Sequence, residues 1–415
     1  MKTVPIEFKQ VVDSYAAIKR GGKATGVDNE TVAMFEKELE DNLYLIYNRL
    51  ASGSYHPPAI RQVEIPKKDG KMRVLGVPTL RDKIAQHVIK VHMERTLEPM
   101  FHEDSYGYRP MKRASDATKK VQENCYLYDW VIDLDIKNFF DELDHELLLT
   151  ALSHVLEEKW VLRYVERWLK APMQTKDGDK VMREKGTPQG GVISPLLANL
   201  FLHYALDKWL GKHYPEIRFV RYADDIVIHC RSKEEAEAVL VAVKTRLEEV
   251  KLRVNENKTH ISYCKDYRRK EKHGDVRFEF LGFSYEPRTG SSANGKRYLT
   301  YTPEISSSNQ KRIKDEIRAI INRRNQVLEI PDFARLLNPK IRGWIAYYGQ
   351  RYKRVLHRTL AIIDQRLITW IMIKHKSFYR EAVRKLHNIQ EKNPHMFSHW
   401  NSPFGRKSYK TARAV

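Results

Sequence analysis

The chain has 415 residues, is 42% hydrophobic and carries a formal net charge of +21, enough for two or three domains around substantial cores. Its three cysteines, Cys125, Cys230 and Cys264, form no CxxC pair, which excludes a disulfide framework or a four-cysteine zinc site and points to a reducing, intracellular setting. No segment reaches the roughly 20 apolar residues of a membrane span, and residues 1–20 mix Lys, Glu and Asp. The expectation is a soluble chain without an address label, in the cytoplasm or alternatively in an organelle.

Apolar periodicity predicts helices over 8–20 and 29–51, separated by the breakers Gly21, Gly22 and Gly26. A strand over 62–66, the turn Lys67-Lys68-Asp69-Gly70 and a return over 73–77 read as a basic hairpin that gathers Lys67, Lys68 and Arg73. A helix over 81–96 leads to Ser105-Tyr106-Gly107-Tyr108-Arg109-Pro110. Residues 130–136 are β-rich, and period-2 alternation puts Asp133 and Asp135 on one face. A helix follows from Glu146, with Asp141 and Asp144 as candidate caps. Gly186-Thr187-Pro188-Gln189-Gly190-Gly191 makes a flexible loop, and Ser194 as N-cap with Pro195 at the first helical position opens a long apolar helix.

Tyr222-Ala223-Asp224-Asp225 lies between the runs 218–221 and 226–230 and reads as a hairpin tip. Adjacent aspartates repel each other and form strands poorly, so the pair is costly unless a cation neutralises it. A helix over 233–250, introduced by Ser232 and Glu235 in capping-box spacing, and a strand around 252–254 complete the order strand, helix, hairpin, helix, strand. That is a split βαβ, ferredoxin-like palm. Residues 265–273 read as a mobile charged loop, 275–301 as β-rich with a turn at Asn294-Gly295, and everything beyond Pro303 as helical.

Charge is uneven along the chain. From Tyr301 onward there are 24 Lys and Arg against 8 Asp and Glu, interleaved with Trp344, Tyr347, Tyr348, Trp370, Phe378, Tyr379, Phe397 and Trp400. Excess positive charge with stacking-competent rings is the footprint of a nucleic-acid binder, although for Trp344, Tyr347 and Tyr348 helix packing is an equal alternative. His395 and His399 stand four apart, but Pro394 and the lack of acidic or Cys neighbours favour stacking or RNA contact over a metal.

Two carboxylate-bearing β elements about a hundred residues apart suit a two-metal phosphoryl transferase. Asp135 and Asp224 would bridge two Mg²⁺ ions, hard cations that take oxygen ligands, with Mn²⁺ as a substitute. Lys67 and Arg73 would clamp a triphosphate. The ordered series Ile65-Pro66-Lys67, Ser105 to Pro110, Asp133-Leu134-Asp135, Gly186-Thr187-Pro188-Gln189-Gly190, Tyr222-Ala223-Asp224-Asp225 and Phe280-Leu281-Gly282-Phe283 resembles the blocks of group II intron reverse transcriptases over nearly the whole chain.

The resemblance implies an α+β right-hand polymerase: fingers and a ferredoxin-like palm over 1–300, an all-helical thumb and maturase region over 301–400, and a basic tail over 401–415. It implies catalytic roles for Asp135, Asp224 and Asp225, with the Ile136 carbonyl beside the metals. The family pattern puts an aromatic five residues after the first aspartate; Phe140 fits Asp135, whereas Asn138 would answer to Asp133. Phe140 would exclude a ribose 2′ hydroxyl, Gln189 would contact the incoming dNTP, and Leu281-Gly282 would be the primer grip. The segments 337–344 and 397–400 resemble the maturase end, and Lys311, Arg312, Arg342, Trp344, Lys374 and Lys376 are the RNA-contact candidates. The implied partners are an RNA template, a DNA primer, dNTPs and group II intron RNA, with no membrane. The implied function is RNA-directed DNA synthesis with splicing assistance in retrohoming; a relative domesticated for host DNA repair or defence is the alternative. No HNH-type Cys and His cluster follows Trp400, so second-strand cleavage is not expected.

Overall fold

A computed structural model describes residues 4–21, 24–66, 70, 72–292, 294–322, 326–349 and 353–401. Lys67, Lys68 and the tail from 402 onward lie outside the described residues. The chain divides into two units, Met1–Ile261 and Ser262–Val415. The break comes at 261/262, whereas the sequence reading set the domain division at 300, inside a strand that belongs to a continuous three-stranded sheet.

In the first unit, strands β1 (Ile60–Pro66) and β2 (Met72–Val77) form the expected hairpin, with Ile65 opposite Arg73. The helix Leu80–Leu97 follows, capped by the Thr79 side chain. The helix expected over 29–51 is broken into Val32–Phe35, a 3₁₀ turn and Leu39–Ala51, because Thr31 caps the first piece and Glu38 departs from helical geometry.

The palm sheet takes β3 (Trp130–Asp135), β6 (Arg218–Tyr222), β7 (Asp225–Cys230) and β8 (His260–Tyr263) in the order β6-β7-β3-β8; the short strands β4 (Met173–Gln174) and β5 (Lys180–Val181) extend the β1/β2 sheet. This is the ferredoxin-like order, with helices Ala114–Leu127 and Lys233–Glu249 packed on it. Val131, Ile132, Val227, Ile228, Val239, Val243 and Leu247 have no exposed surface, and since neighbouring strand residues point to opposite faces, both faces of the central strands are covered there. The closing strand is β8; Val254, expected in that role, makes only an isolated bridge to Ile136.

Two details of the helices differ from the sequence reading. Asp144 caps His145–Ser153 by accepting from Leu147 N–H, but Asp141 lies within the short helix Phe139–Glu142. The apolar helix is Ser194–Leu202, followed by a π-helical turn His203–Asp207 and a helix Lys208–His213. Ile193 occupies the cap position, while the Ser194 hydroxyl accepts from Thr187 Oγ1 at 2.8 Å. Gln86 Oε1 satisfies the N–H groups of Val192 and Ile193 at 2.8 and 3.3 Å, which removes the need for a serine cap.

The second unit holds β9 (Phe278–Phe280), β10 (Phe283–Ser291) and β11 (Arg297–Ile305) as an antiparallel sheet, with Gly295 at φ 80° in the β10–β11 turn. Among the described residues four helices follow: Ser307–Ile320, Ile330–Tyr348, Lys353–Lys374 and Tyr379–Lys392. Their apolar stripes, including Ile313, Phe333, Leu337, Leu367 and Leu386, close one core. The segment 265–273, expected to be mobile, is tied down: buried Asp266 pairs with Arg268 and Arg269 at 2.6 and 3.3 Å, and Tyr267 N–H donates to Leu299 O. Among the described residues no helix is long and apolar enough to cross a membrane.

Candidate active site

Pairing between β3 and β7 brings the acids together: Asp135 stands opposite Asp225, whereas Asp133 stands opposite Val227. Tyr222 pairs with Asp225, so Ala223 and Asp224 form a two-residue hairpin turn, the tightest connection available to the two strands. Ala223 adopts φ 58°, in the region that favours glycine. Gly107 lies flat against it, since a Cβ there would come within 2.3 Å of Ala223 N.

Asp135 is tethered by a segment the sequence reading passed over. Its Oδ2 accepts from Asn255 Nδ2 at 2.8 Å, its Oδ1 lies 3.4 Å from Lys258 Nζ, its N–H donates to Thr259 Oγ1, and its carbonyl accepts from Asn255 N–H. Residues 253–259 follow the helix Lys233–Glu249, and only the palm topology carries them back to β3. Ile136, whose carbonyl was expected beside the metals, is buried and bridged to Val254. Asp133 has His260 as a neighbour, 3.9 Å away.

Electrostatically the three acids are coupled. Burial raises Asp224 above the usual carboxylate range, with Asp135 adding to the rise and Arg73 and Lys258 opposing it. Asp225 keeps an open path to solvent, yet the protein around its carboxyl, followed by the charges of Asp224 and Asp135, pushes it up to about 7 against the pull of Lys258. Excess negative charge on hard oxygens suits a divalent cation. Among the described residues no three His, Cys, Asp or Glu side chains form a ready-made cage.

Of the dNTP candidates, Arg73 is near enough to Asp224 to lower its pKa. Phe140 and Gln189 are brought together: Phe140 O accepts Thr187 N–H at 2.7 Å, and Gln189 Nε2 donates to Asp141 at 3.1 Å. Gly190, at φ 123°, lets the loop lie on β2, where a Cβ would meet Gly76 O at 2.6 Å, and Gln189 O accepts Gly76 N–H. Lys67 lies outside the described residues. Tyr108 was overlooked as a site residue; its phenol feels Asp224 and Arg73.

In the second unit, Leu281 and Gly282 form the β9–β10 turn with φ 49° and 79°, the conformation of a type I′ hairpin. Tyr347 Oη donates to Leu281 O at 3.0 Å, and Asn309 Nδ2 donates to Gly282 O at 3.2 Å. The RNA-contact candidates separate by burial. Lys311, Arg312, Arg342 and Lys376 are exposed. Trp344 instead lies in the helical core at 8% exposure, and Lys374 is occupied by Leu328 O and Glu329 while covering the Trp370 ring. Trp370, Phe397 and Trp400 are core residues as well. His399, expected to stack or to contact RNA, is buried 3.2 Å from Asp364, which also accepts from Trp400 Nε1; apolar packing and this acid hold the segment inside the bundle.

Comparison with known proteins identifies the family. The model of the family "Reverse transcriptase (RNA-dependent DNA polymerase)" matches residues 65–285, and that of the "Group II intron, maturase-specific domain" matches 310–386. The chain belongs to the group II intron reverse transcriptase/maturase family. It is similar to Protein YkfC of Escherichia coli, 31% identical across 62% of this chain and 80% of that one. The group II intron-encoded protein LtrA of Lactococcus lactis is 33% identical over 46% of this chain and 31% of its own, and the putative COX1/OXI3 intron 1 protein of Saccharomyces cerevisiae is 26% identical over 54% and 34%. This reverse transcriptase thus spans four-fifths of one relative and about a third of the other two. The reverse transcriptase match covers the end of β1, all of β2, the palm acids and the Leu281-Gly282 turn, and the maturase match covers, of the four helices described after Pro303, three wholly or nearly so and most of the fourth.

Proposed function

We propose that this reverse transcriptase extends a primer 3′ hydroxyl with dNTPs on an RNA template at Asp135, Asp224 and Asp225, and that its second unit binds group II intron RNA and assists splicing. The observation that carries the reading is the register that sets Asp135 beside Asp225, with Asp224 in the turn. The primer 3′ oxygen forms a bond to the α-phosphorus as the α–β phosphoanhydride breaks and pyrophosphate leaves. Two Mg²⁺ ions bound by the three carboxylates and the Ile136 carbonyl would lower the pKa of the hydroxyl and offset the developing charge. The chain's own work is positioning. Asn255 and Thr259 fix Asp135, Arg73 faces the triphosphate, and Phe140 and Gln189 border the sugar and base of the incoming nucleotide. Leu281 and Gly282, presented on a tight turn, support the primer strand.

The exposed cations Lys311, Arg342 and Lys376 supply phosphate contacts for intron RNA, and the bacterial relatives YkfC and LtrA favour the cytoplasm as the setting. Asp224→Asn tests the polymerase reading. Primer extension should fall to background while filter binding of RNA stays near the native value; extension at a tenth of the native rate sinks the assignment. Asp135→Asn should behave alike and Asp133→Asn should be milder.

A further inference from the structure

Beneath the aspartate turn lies a polar network that none of the assigned roles uses. Arg221 is fully buried, as are Asp207 and Asn199, a setting in which a guanidinium needs every donor matched. Its Nε and Nη2 donate to the two oxygens of Asp207 at 2.9 and 2.6 Å, and its Nη1 donates to Asn199 Oδ1 at 2.8 Å and to the Ala223 carbonyl at 3.1 Å. Asn199 Nδ2 in turn donates to the Gly107 carbonyl at 2.8 Å, and Gly107 is the residue pressed against Ala223 N. The Arg221 backbone is pinned to Asp104 and Tyr106. Asp207 ends the π-helical turn His203–Asp207, an irregularity that recurs at functional sites. The turn that carries Asp224 and leads into Asp225 is therefore gripped on its carbonyl side by Arg221 and on its amide side by Gly107, and the left-handed Ala223 is held where it would otherwise relax.

We infer that Arg221, clamped by Asp207 and Asn199, is a positioning residue that sets the backbone of the Ala223–Asp224 turn and so the aim of Asp224 and Asp225. The inference rests on the reading that these acids are catalytic. A buried ion pair that only stabilises the fold can be exchanged for apolar side chains of similar volume. One that aims the turn cannot, because the Ala223 carbonyl loses its donor.

The test uses the full chain with active sites counted by the burst of first-nucleotide incorporation. Arg221→Met with Asp207→Leu should keep the native circular dichroism. Its kcat per site should fall about a hundredfold, the loss expected of a small misplacement of reacting groups. The KM for dNTP should move less than about threefold, and the Mg²⁺ concentration for half-maximal rate should rise. Gly107→Ala, which leaves the ion pair intact, should give the same split, and Arg221→Lys, which keeps the charge but loses the guanidinium fork, should fall between. A folded double variant or a folded Gly107→Ala with kcat per site and Mg²⁺ dependence within about twofold of native overturns the inference. If neither folds, Arg221→Lys decides by the same limit. Asp224→Asn in the same assay separates the two readings: if it is inactive while the double variant is native-like, positioning alone fails, whereas an active Asp224→Asn removes the catalytic reading itself.

Discussion

Replacing Asp82 with asparagine probes a buried charge beneath the loop that carries Gln189. Asp82 is wholly buried; its Oδ1 accepts from Tyr55 Oη and Trp168 Nε1 at 3.0 and 2.8 Å, and its Oδ2 accepts from Gln86 Nε2 at 2.9 Å. Burial raises its pKa from 3.8 to about 6 in spite of those three donors. The ionised form therefore costs the folded state roughly 3 kcal/mol at neutral pH relative to the protonated one. Because the folded pKa lies above the unfolded one, the folded state holds the proton more tightly. The contribution is complete below about pH 4 and is lost as the pH rises through 6. Asparagine removes the charge but sets its Nδ2 against Gln86 Nε2, donor to donor. Turning the Gln86 amide over only moves the conflict to Val192 and Ile193, whose N–H groups its oxygen now satisfies. That mismatch costs about 1–3 kcal/mol at every pH. The variant should thus be clearly less stable than native at pH 4.5, and the gap should close by about 2 kcal/mol by pH 7.5, the share of the linkage that falls in this interval. Urea unfolding followed by tryptophan fluorescence across that range measures it. A gap that stays constant within about 0.5 kcal/mol refutes the claim that Asp82 ionises within this window.

Since Asp225 sits at about 7 through burial and the charges of Asp224 and Asp135, the Mg²⁺ concentration for half-maximal extension should rise about tenfold per pH unit below 7 and level off above it. A flat profile between pH 6 and 8 contradicts this. Phe140→Ala should admit ribonucleotides and lower rNTP-against-dNTP discrimination at least about tenfold; an unchanged incorporation ratio would place the gate elsewhere. Gly282→Ala puts a Cβ 2.6 Å from Asn309 Nδ2 at a φ of 79°, so template-primer affinity should drop several-fold with the dNTP KM nearly unchanged, as read by gel-shift and single-turnover kinetics.

The sequence by itself determined the local features. Alternation put Asp133 and Asp135 on one face of β3, the two acids at 224 and 225 marked a hairpin, Asp144 and Ser232 capped their helices, and the element order specified a ferredoxin-like palm. These are short-range matters of period, propensity and capping, and they are legible because each depends on neighbours a few residues away. Only the tertiary structure decided partners. The register that gives Asp225 to Asp135 rather than to Asp133 is a pairing across ninety residues, and Asn255 and Lys258 reach Asp135 from about 120 residues further on. Composition could count the cations and rings of the carboxyl end but not say which face water; Trp344 is core because its helix closes on its neighbours, and Phe397, His399 and Trp400 are core because the segment after the last helix folds back onto the bundle and onto Asp364. Arg221 escaped notice for the same reason: in the sequence it is an ordinary basic residue before a tyrosine, and its meaning comes from Asp207 and Asn199, which folding alone brings beneath the turn.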